Sequence, residues 1–268
     1  MKLDSRHLIH PRDKVRLSRI SASDTGSYKD KAEAAPDLER HRRKLCELQE
    51  LLTADAKHAV LVVLQGMDTS GKDGTITHIF SGINPQACNV SAFKVPTPVE
   101  RKHDFLWRVH REVPAKGLIG IFNRSHYEDV LVTRVHKMIS DKVAYQRFKQ
   151  IVSFEEELAE NNVTILKFYL HITRDEQTRR LEERLGDPNK LWKLSEADFA
   201  ERPLWSEYQK AYQEAISHTS RPHAPWFIIP SNHKWYRNVA ISKIMVDAMK
   251  RLKIQYPKVT FDPGQIKL

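Results

Sequence analysis

Residues 61–80 read LVVLQGMDTSGKDGTITHIF, an apolar run, a glycine loop and then a helical pattern. Gly66, Gly71 and Lys72 stand at the spacing G-x-x-x-x-G-K, and Gly74 follows closely. Such a loop does phosphate chemistry: glycines let backbone N–H groups face the anion, the following helix N-terminus adds positive potential, and the lysine adds a point charge. Two carboxylates break the pattern. Asp73 occupies the position that wants Ser or Thr, and Asp68 sits inside the loop. A bare carboxylate about 4 Å from a phosphate oxygen costs on the order of 4 kcal/mol at an effective dielectric of about 20. Mg²⁺ reverses that sign, since it prefers one or two carboxylates together with phosphate oxygens and waters, and Mn²⁺ is the alternative ion. Asp73 reads instead as an acid complementing the helix dipole, its side chain turned away from the ligand.

A second cluster lies in IFNRSHYEDVLV at 121–132. A P-loop enzyme usually ends this strand with a metal-holding aspartate, and here Asn123 takes the place as a neutral oxygen ligand. Negative charge arrives later as Glu128 and Asp129, which are candidate metal ligands if the strand end opens on the same cleft. Arg124 is a candidate phosphate clamp. Further along, Arg184, Lys193 and Arg202 flank a Pro-containing break and are candidates for closing over phosphates. Arg179 and Arg180, on a helix reading TRRLEER, fit a solvated face with i,i+4 ion pairs. Trp192 and Trp205 read as packing anchors.

These residues need a scaffold. Strand-like runs AVLVVLQ, NVSAFKVP, LIGIFNR, VTILKFYLHI and WFIIPS alternate with helical stretches at 72–82, 99–112, 141–160, 174–186, 203–219 and 235–252. Near-continuous apolar strands alternating with helices predict an α/β fold, a parallel sheet of about five strands covered on both faces. Ligands in such folds bind beyond the carboxyl ends of the strands, where Asp68, Asn123 and His171 fall. A packing helix is expected from Pro36, with Leu38, Leu45, Leu48 and Leu52 on one face. The segment 1–35 reads as an extension wrapping the surface or reaching a neighbouring subunit, 36–268 as one domain, and 186–205 as its lid.

Composition narrows the partners. The chain has 268 residues, 40% hydrophobic and 29% charged, with a net charge of +10. That balance favours a polyanionic partner, whether nucleic acid, an acidic membrane or a phosphate-rich substrate. The two cysteines, Cys46 and Cys88, form no C-x-x-C pair, so neither a zinc site nor a disulfide framework is indicated. The start of the chain lacks a signal-peptide core and no apolar run is long enough for a membrane span, so a cytoplasmic protein is expected. No nucleic-acid module is recognisable.

The loop GMDTSGKDGTI at 66–76, the stretch FNRSHYEDVLVTRVH at 122–136 and WKLSEADFAER at 192–202 resemble the polyphosphate kinase 2 family, and supporting stretches extend the likeness from about residue 36 to near the end. The resemblance implies a P-loop kinase fold similar to thymidylate kinase, with a helical lid. It implies reversible, Mg²⁺-dependent phosphoryl transfer between inorganic polyphosphate and nucleotides. By motif, Asp68 and Lys72 would serve metal and phosphate, while Arg124, Arg184, Lys193, Asp198 and Arg202 match cleft and lid positions. Asn123 and the YED triplet resemble the class that phosphorylates both AMP and ADP, with GMP and GDP as further acceptors, and sharpen Glu128 and Asp129 as metal candidates. The expected partners are polyphosphate, AMP, ADP and ATP, in a homo-oligomer, dimer or tetramer, with no specific nucleic acid and no membrane. An ATP-dependent nucleoside monophosphate kinase is the alternative, and a nucleic-acid-binding protein ranks last.

Overall fold

The apolar runs assemble into one sheet in the computed structural model, which describes residues 6–260 together with Gly264 and Ile266. The strands are β1 (Leu8–Ile9), β2 (Ala59–Gln65), β3 (Cys88–Ala92), β4 (Ile119–Asn123), β5 (Val163–His171) and β6 (Trp226–Pro230). Their spatial order is β1-β6-β5-β2-β4-β3. The last five in sequence are mutually parallel and β1 adds an antiparallel edge. The chain leaves β2 in one direction to build β3 and β4, then crosses to build β5 and β6 on its other side. β2 therefore stands at the switch point, where diverging connections open a crevice beyond the strand ends.

Helices cover both faces: α1 (Lys31–Asp55), α2 (Lys72–Ile79), α3 (Trp107–His110), α4 (Val132–Val135), α5 (Asp141–Glu160), α6 (Arg174–Leu185), α7 (Glu196–Ala200), α8 (Trp205–Thr219) and α9 (Lys234–Arg251). All seven residues of β2 are buried, and successive side chains enter opposite cores. Val60, Val62 and Leu64 pack with Leu45 and Leu48 of α1 and Ile241 and Met245 of α9. Leu61 and Val63 pack with Ile151 and Phe154 of α5 and Tyr212 and Ile216 of α8. Among the described residues no helix is long and apolar enough to cross a membrane.

Several expectations shift. α1 begins at Lys31 rather than Pro36, because Asp30 caps it by accepting the Glu33 N–H, and Pro36 removes only one hydrogen bond near the helix start. Within the expected extension, β1 pairs with β6 and Leu17 is buried, so part of 1–35 belongs to the core of the fold. Its residues 1–5, and 261–263, 265, 267 and 268 of the expected domain, lie outside the described residues. The stretch 99–112 is not one helix but a short 3₁₀ turn, Glu100–Lys102, and α3, because Asp104 accepts the backbone N–H groups of Leu106 and Trp107 and starts a new turn. His171 closes β5 and points into the fold, with Nε2 3.0 Å from the Ile20 carbonyl oxygen.

Between β5 and the helices α5 and α8 lies a wholly buried polar knot. Lys167 donates to Glu155 at 2.5 Å, to the Tyr127 hydroxyl at 2.9 Å and to the Thr219 carbonyl at 2.9 Å. His126 lies 3.2 Å from the same Glu155. Burial is the largest influence and works against the Glu155 charge, yet Lys167 and His126 together outweigh it and hold the carboxyl below its usual range. The knot ties α5, β5 and α8 to the turn that follows β4. Removing one partner leaves the other charge buried, so Lys167→Met is expected to cost about 3–5 kcal/mol in chemical denaturation. A loss under about 1 kcal/mol would show the knot to be dispensable.

Candidate active site

The loop after β2 crosses the switch point in a conformation that its glycines permit. Gly66 has φ +157° and Gly71 φ +100°, the second in the left-handed region. A side chain at Gly71 would also meet the Arg237 guanidinium at 1.9 Å. Lys72, the first residue of α2, folds back under the loop and donates to the carbonyls of Gly66 at 2.9 Å and Met67 at 3.4 Å. Burial first, then neighbouring Arg124, pushes its pKa down to about 8 against the opposing pull of Asp68. Neighbouring elements take the remaining loop carbonyls. Gln177 donates to Asp68 O at 3.1 Å, Arg180 to Thr69 O at 2.8 Å and Ser70 O at 3.1 Å, and Arg237 to Ser70 O at 3.2 Å.

Asp68 is not left bare. Arg124, which leaves β4 with φ +64°, donates to Asp68 at 2.8 Å and to Glu128 at 3.3 Å. The in-loop carboxylate is thus neutralised by an arginine as well as by any cation that binds. Asp73 differs from its expected orientation: it faces the cleft and accepts from the Asn123 amide at 2.6 Å. The register of β2 with β4, Leu64 opposite Asn123, brings that amide to the start of α2. Asp129 lies apart from these groups. It pairs with Arg108 at 3.2 Å, burial raises its pKa against that arginine's pull, and neither it nor Glu128 lines the cleft.

The cleft holds about 920 Å³, and Lys and Arg outnumber carboxylates along its walls. The end of α6 and the segment after it supply one side. Arg184, Lys193 and Asp198 all line it; Arg184 donates to the Lys193 carbonyl at 3.4 Å, and Asp198 completes a capping box with Ser195 at the start of α7. Arg202 instead donates to Thr178 at 2.6 Å. Gly74 faces the cleft within the first turn of α2, where a side chain would come to 3.5 Å from Arg237. Arg179 makes the expected surface ion pairs with Glu176 and Glu183. Arg180 does not lie on a solvated face: it is 3% exposed beneath the loop. Trp192 is 78% exposed rather than packed, with the Lys193 ammonium 5.1 Å from its ring centre. Trp205 packs as expected.

Among the described residues no three His, Cys, Asp or Glu side chains gather as a metal cage. The residues that offer oxygen ligands to the cleft at the loop are Asp68, Asp73 and Thr69, the last with a buried hydroxyl that has no hydrogen-bond partner. That set fits a hard divalent ion that completes its shell with phosphate oxygens and waters, and does not fit one needing an all-protein cage.

A phosphate loop at the switch point of a parallel sheet, faced by a basic lid segment, defines a P-loop kinase. A sequence model of the polyphosphate kinase 2 (PPK2) family matches residues 28–257, and the chain belongs to that family. It is 48% identical over 254 residues to the AMP/ADP-polyphosphate phosphotransferase of Meiothermus ruber, covering 94% of this chain and 95% of the relative. It is 40% identical over 260 residues to the ADP-polyphosphate phosphotransferase of Rhodopseudomonas palustris, covering 92% and 90%. The crystal structure of polyphosphate kinase 2 from Arthrobacter aurescens superposes with a TM-score of 0.91 at 41% identity, covering 93% of this chain and 90% of that one.

The lowered pKa of Lys72 has a definite sign. Its folded value, about 8, lies below the usual lysine value, so charging it opposes folding fully below pH 8 and ceases to do so as the pH rises toward about 10.4. NMR titration of the Lys72 side chain should show a midpoint near 8 in the free protein. A midpoint above about 10 would contradict the burial described here.

Proposed function

We propose that the chain is a polyphosphate-dependent nucleotide kinase, moving the terminal phosphoryl group of inorganic polyphosphate to AMP and to ADP, and back. The observation that carries the reading is the cleft: a phosphate loop on one wall and Arg184 and Lys193 on the other, in a chain 48% identical to an AMP/ADP-polyphosphate phosphotransferase. A polyphosphate chain is flexible and densely anionic, so a basic groove binds it without base-reading groups.

The chain's own groups then divide the work. Loop N–H groups and Lys72 hold the transferring phosphate, and Arg124 bridges from Asp68 to a phosphate oxygen. Arg184 and Lys193 draw the lid over the polymer, Arg202 ties the end of the lid to Thr178 of α6, and Asp198 stabilises the start of α7. A nucleotide phosphate oxygen attacks the terminal phosphorus in line; the new P–O bond forms as the bridging P–O bond breaks, and the shortened polymer leaves with the electron pair. No side chain need become phosphorylated, because positioning and electrostatics supply most of the catalysis in phosphoryl transfer. Asp68 would hold Mg²⁺, or Mn²⁺ in its place, with Glu128 joined to it through Arg124, and such an ion would neutralise the charge gathering on the transferred oxygens. Asp129, paired with Arg108, sets the turn that carries Glu128.

Purified protein with polyphosphate, Mg²⁺ and either AMP or ADP is expected to form ATP. No ATP from either acceptor would defeat the reading, and turnover of ATP with a mononucleotide only would move it to an ATP-dependent kinase. Asp68→Asn should keep the melting temperature within a few degrees while kcat falls at least about 100-fold, the scale of losing one electrostatic stabiliser. Unchanged turnover in that variant would remove Asp68 from the site.

A further inference from the structure

The loop presents an accounting problem for its backbone. In a trans peptide the C=O of one residue and the N–H of the next point in opposite directions, and among the described residues no peptide bond is cis. Holding the oxygens of residues 66–70 beneath the loop therefore turns the N–H groups of 67–71 toward the cleft. Ser70 is the exception, since its N–H closes a turn onto Met67 O at 3.0 Å. Two of the gripping groups are guanidiniums from helices distant in sequence, α6 and α9. Arg180 also donates to Ser231 O at 2.5 Å and Asn232 O at 3.1 Å, and pairs with Glu176 at 2.6 Å.

Arg237 is different. It is 1% exposed, and its other bonds run to the neutral side chain of Asn238 at 3.1 and 2.9 Å. No carboxylate is among the groups acting on it; burial and then Arg180 both push its pKa down. A buried cation without a counter-ion is expensive. Its position argues for what offsets that cost, because it borders the cleft directly below Gly71 and Gly74.

We propose that Arg180 and Arg237 are the positioning residues of the phosphate loop: together they hold its carbonyls on the protein side, and Arg237 keeps its charge uncompensated for the phosphate that binds above. Arg180 is the neutralised member and serves geometry. Arg237 serves geometry and charge. The inference rests on the reading that this loop binds a polyphosphate.

The test measures the affinity of inorganic tripolyphosphate by calorimetry, beside thermal melting and steady-state kinetics, on the whole chain. Arg237→Met is expected to bind at least tenfold more weakly while remaining folded, with the KM for polyphosphate rising more than kcat falls. Arg237→Lys restores part of the affinity by returning the charge, and Arg237→Gln, which returns only a donor, does not. Met245→Ala, a buried truncation about two turns further along α9, should lower the melting temperature and leave the affinity unchanged. Parent-like binding in Arg237→Met overturns the proposal, as does equal weakening in Met245→Ala. Should Arg237→Met fail to fold, parent-like binding in Arg237→Gln overturns it. If the parent itself does not bind tripolyphosphate, the polyphosphate reading fails first and this inference with it.

Discussion

The constraint behind this structure is that a strand buried on every side must end in a loop whose backbone donors stay free for an anion. β2 lies in the middle of the sheet with none of its residues exposed, so the loop leaving it starts from the driest part of the molecule. Buried carbonyls there must find donors. They find Lys72 from α2, Gln177 and Arg180 from α6, and Arg237 from α9. The packing of α6 and α9 over this end of the sheet is thus tied to the same hydrogen bonds that shape the cradle. The positive charges used for that purpose also raise the potential at the loop.

Charge in the cleft is managed pairwise rather than by composition. Arg124 sits between Asp68 and Glu128, so the carboxylate inside the anion nest is tolerated before any ligand arrives. Arg124 reaches both acids because its own backbone takes a left-handed conformation at the end of β4, a strained choice for a residue with a side chain. The turn that follows is pinned from below by Lys167, Glu155 and Tyr127. Through that pinning, a buried knot with no access to substrate supports the geometry of an arginine in the cleft.

The sheet and the loop were legible in the sequence because their signals are local: apolar runs of strand length, and glycines with a lysine at fixed spacing. What was not legible depends on which way a helix face turns. Arg180 looked solvated since Glu176 lies four residues before it, and it does make that pair, but the same face packs against the loop. Arg237 offered a fainter signal. It shares a helical stripe with the buried residues Ile241, Ile244 and Ala248 of α9, and an arginine in an apolar stripe is an anomaly that invites a search for its partner. Trp192 misled for the opposite reason, since a large aromatic side chain normally packs, whereas here it stands on the exposed lid segment. Asp129 was grouped with Glu128 by adjacency, yet neighbours in a tight turn diverge, and it faces Arg108 instead.

The two departures from the usual loop pattern explain each other. With Ser or Thr after the lysine and Asp at the end of the neighbouring strand, a hydroxyl is the donor and a carboxylate the acceptor. Here the loop side carries the acceptor, Asp73, and the strand side carries the donor, Asn123, joined at 2.6 Å. The hydrogen bond between β4 and the start of α2 is kept with its polarity reversed, so replacing Asn123 alone by Asp would leave two acceptors facing each other. The exchange also moves negative charge from the strand end onto the first turn of α2, where the helix dipole favours it. Its consequence for the site is that the strand end contributes a neutral group to the cleft, and the carboxylates there come from the loop and the start of α2, Asp68 and Asp73.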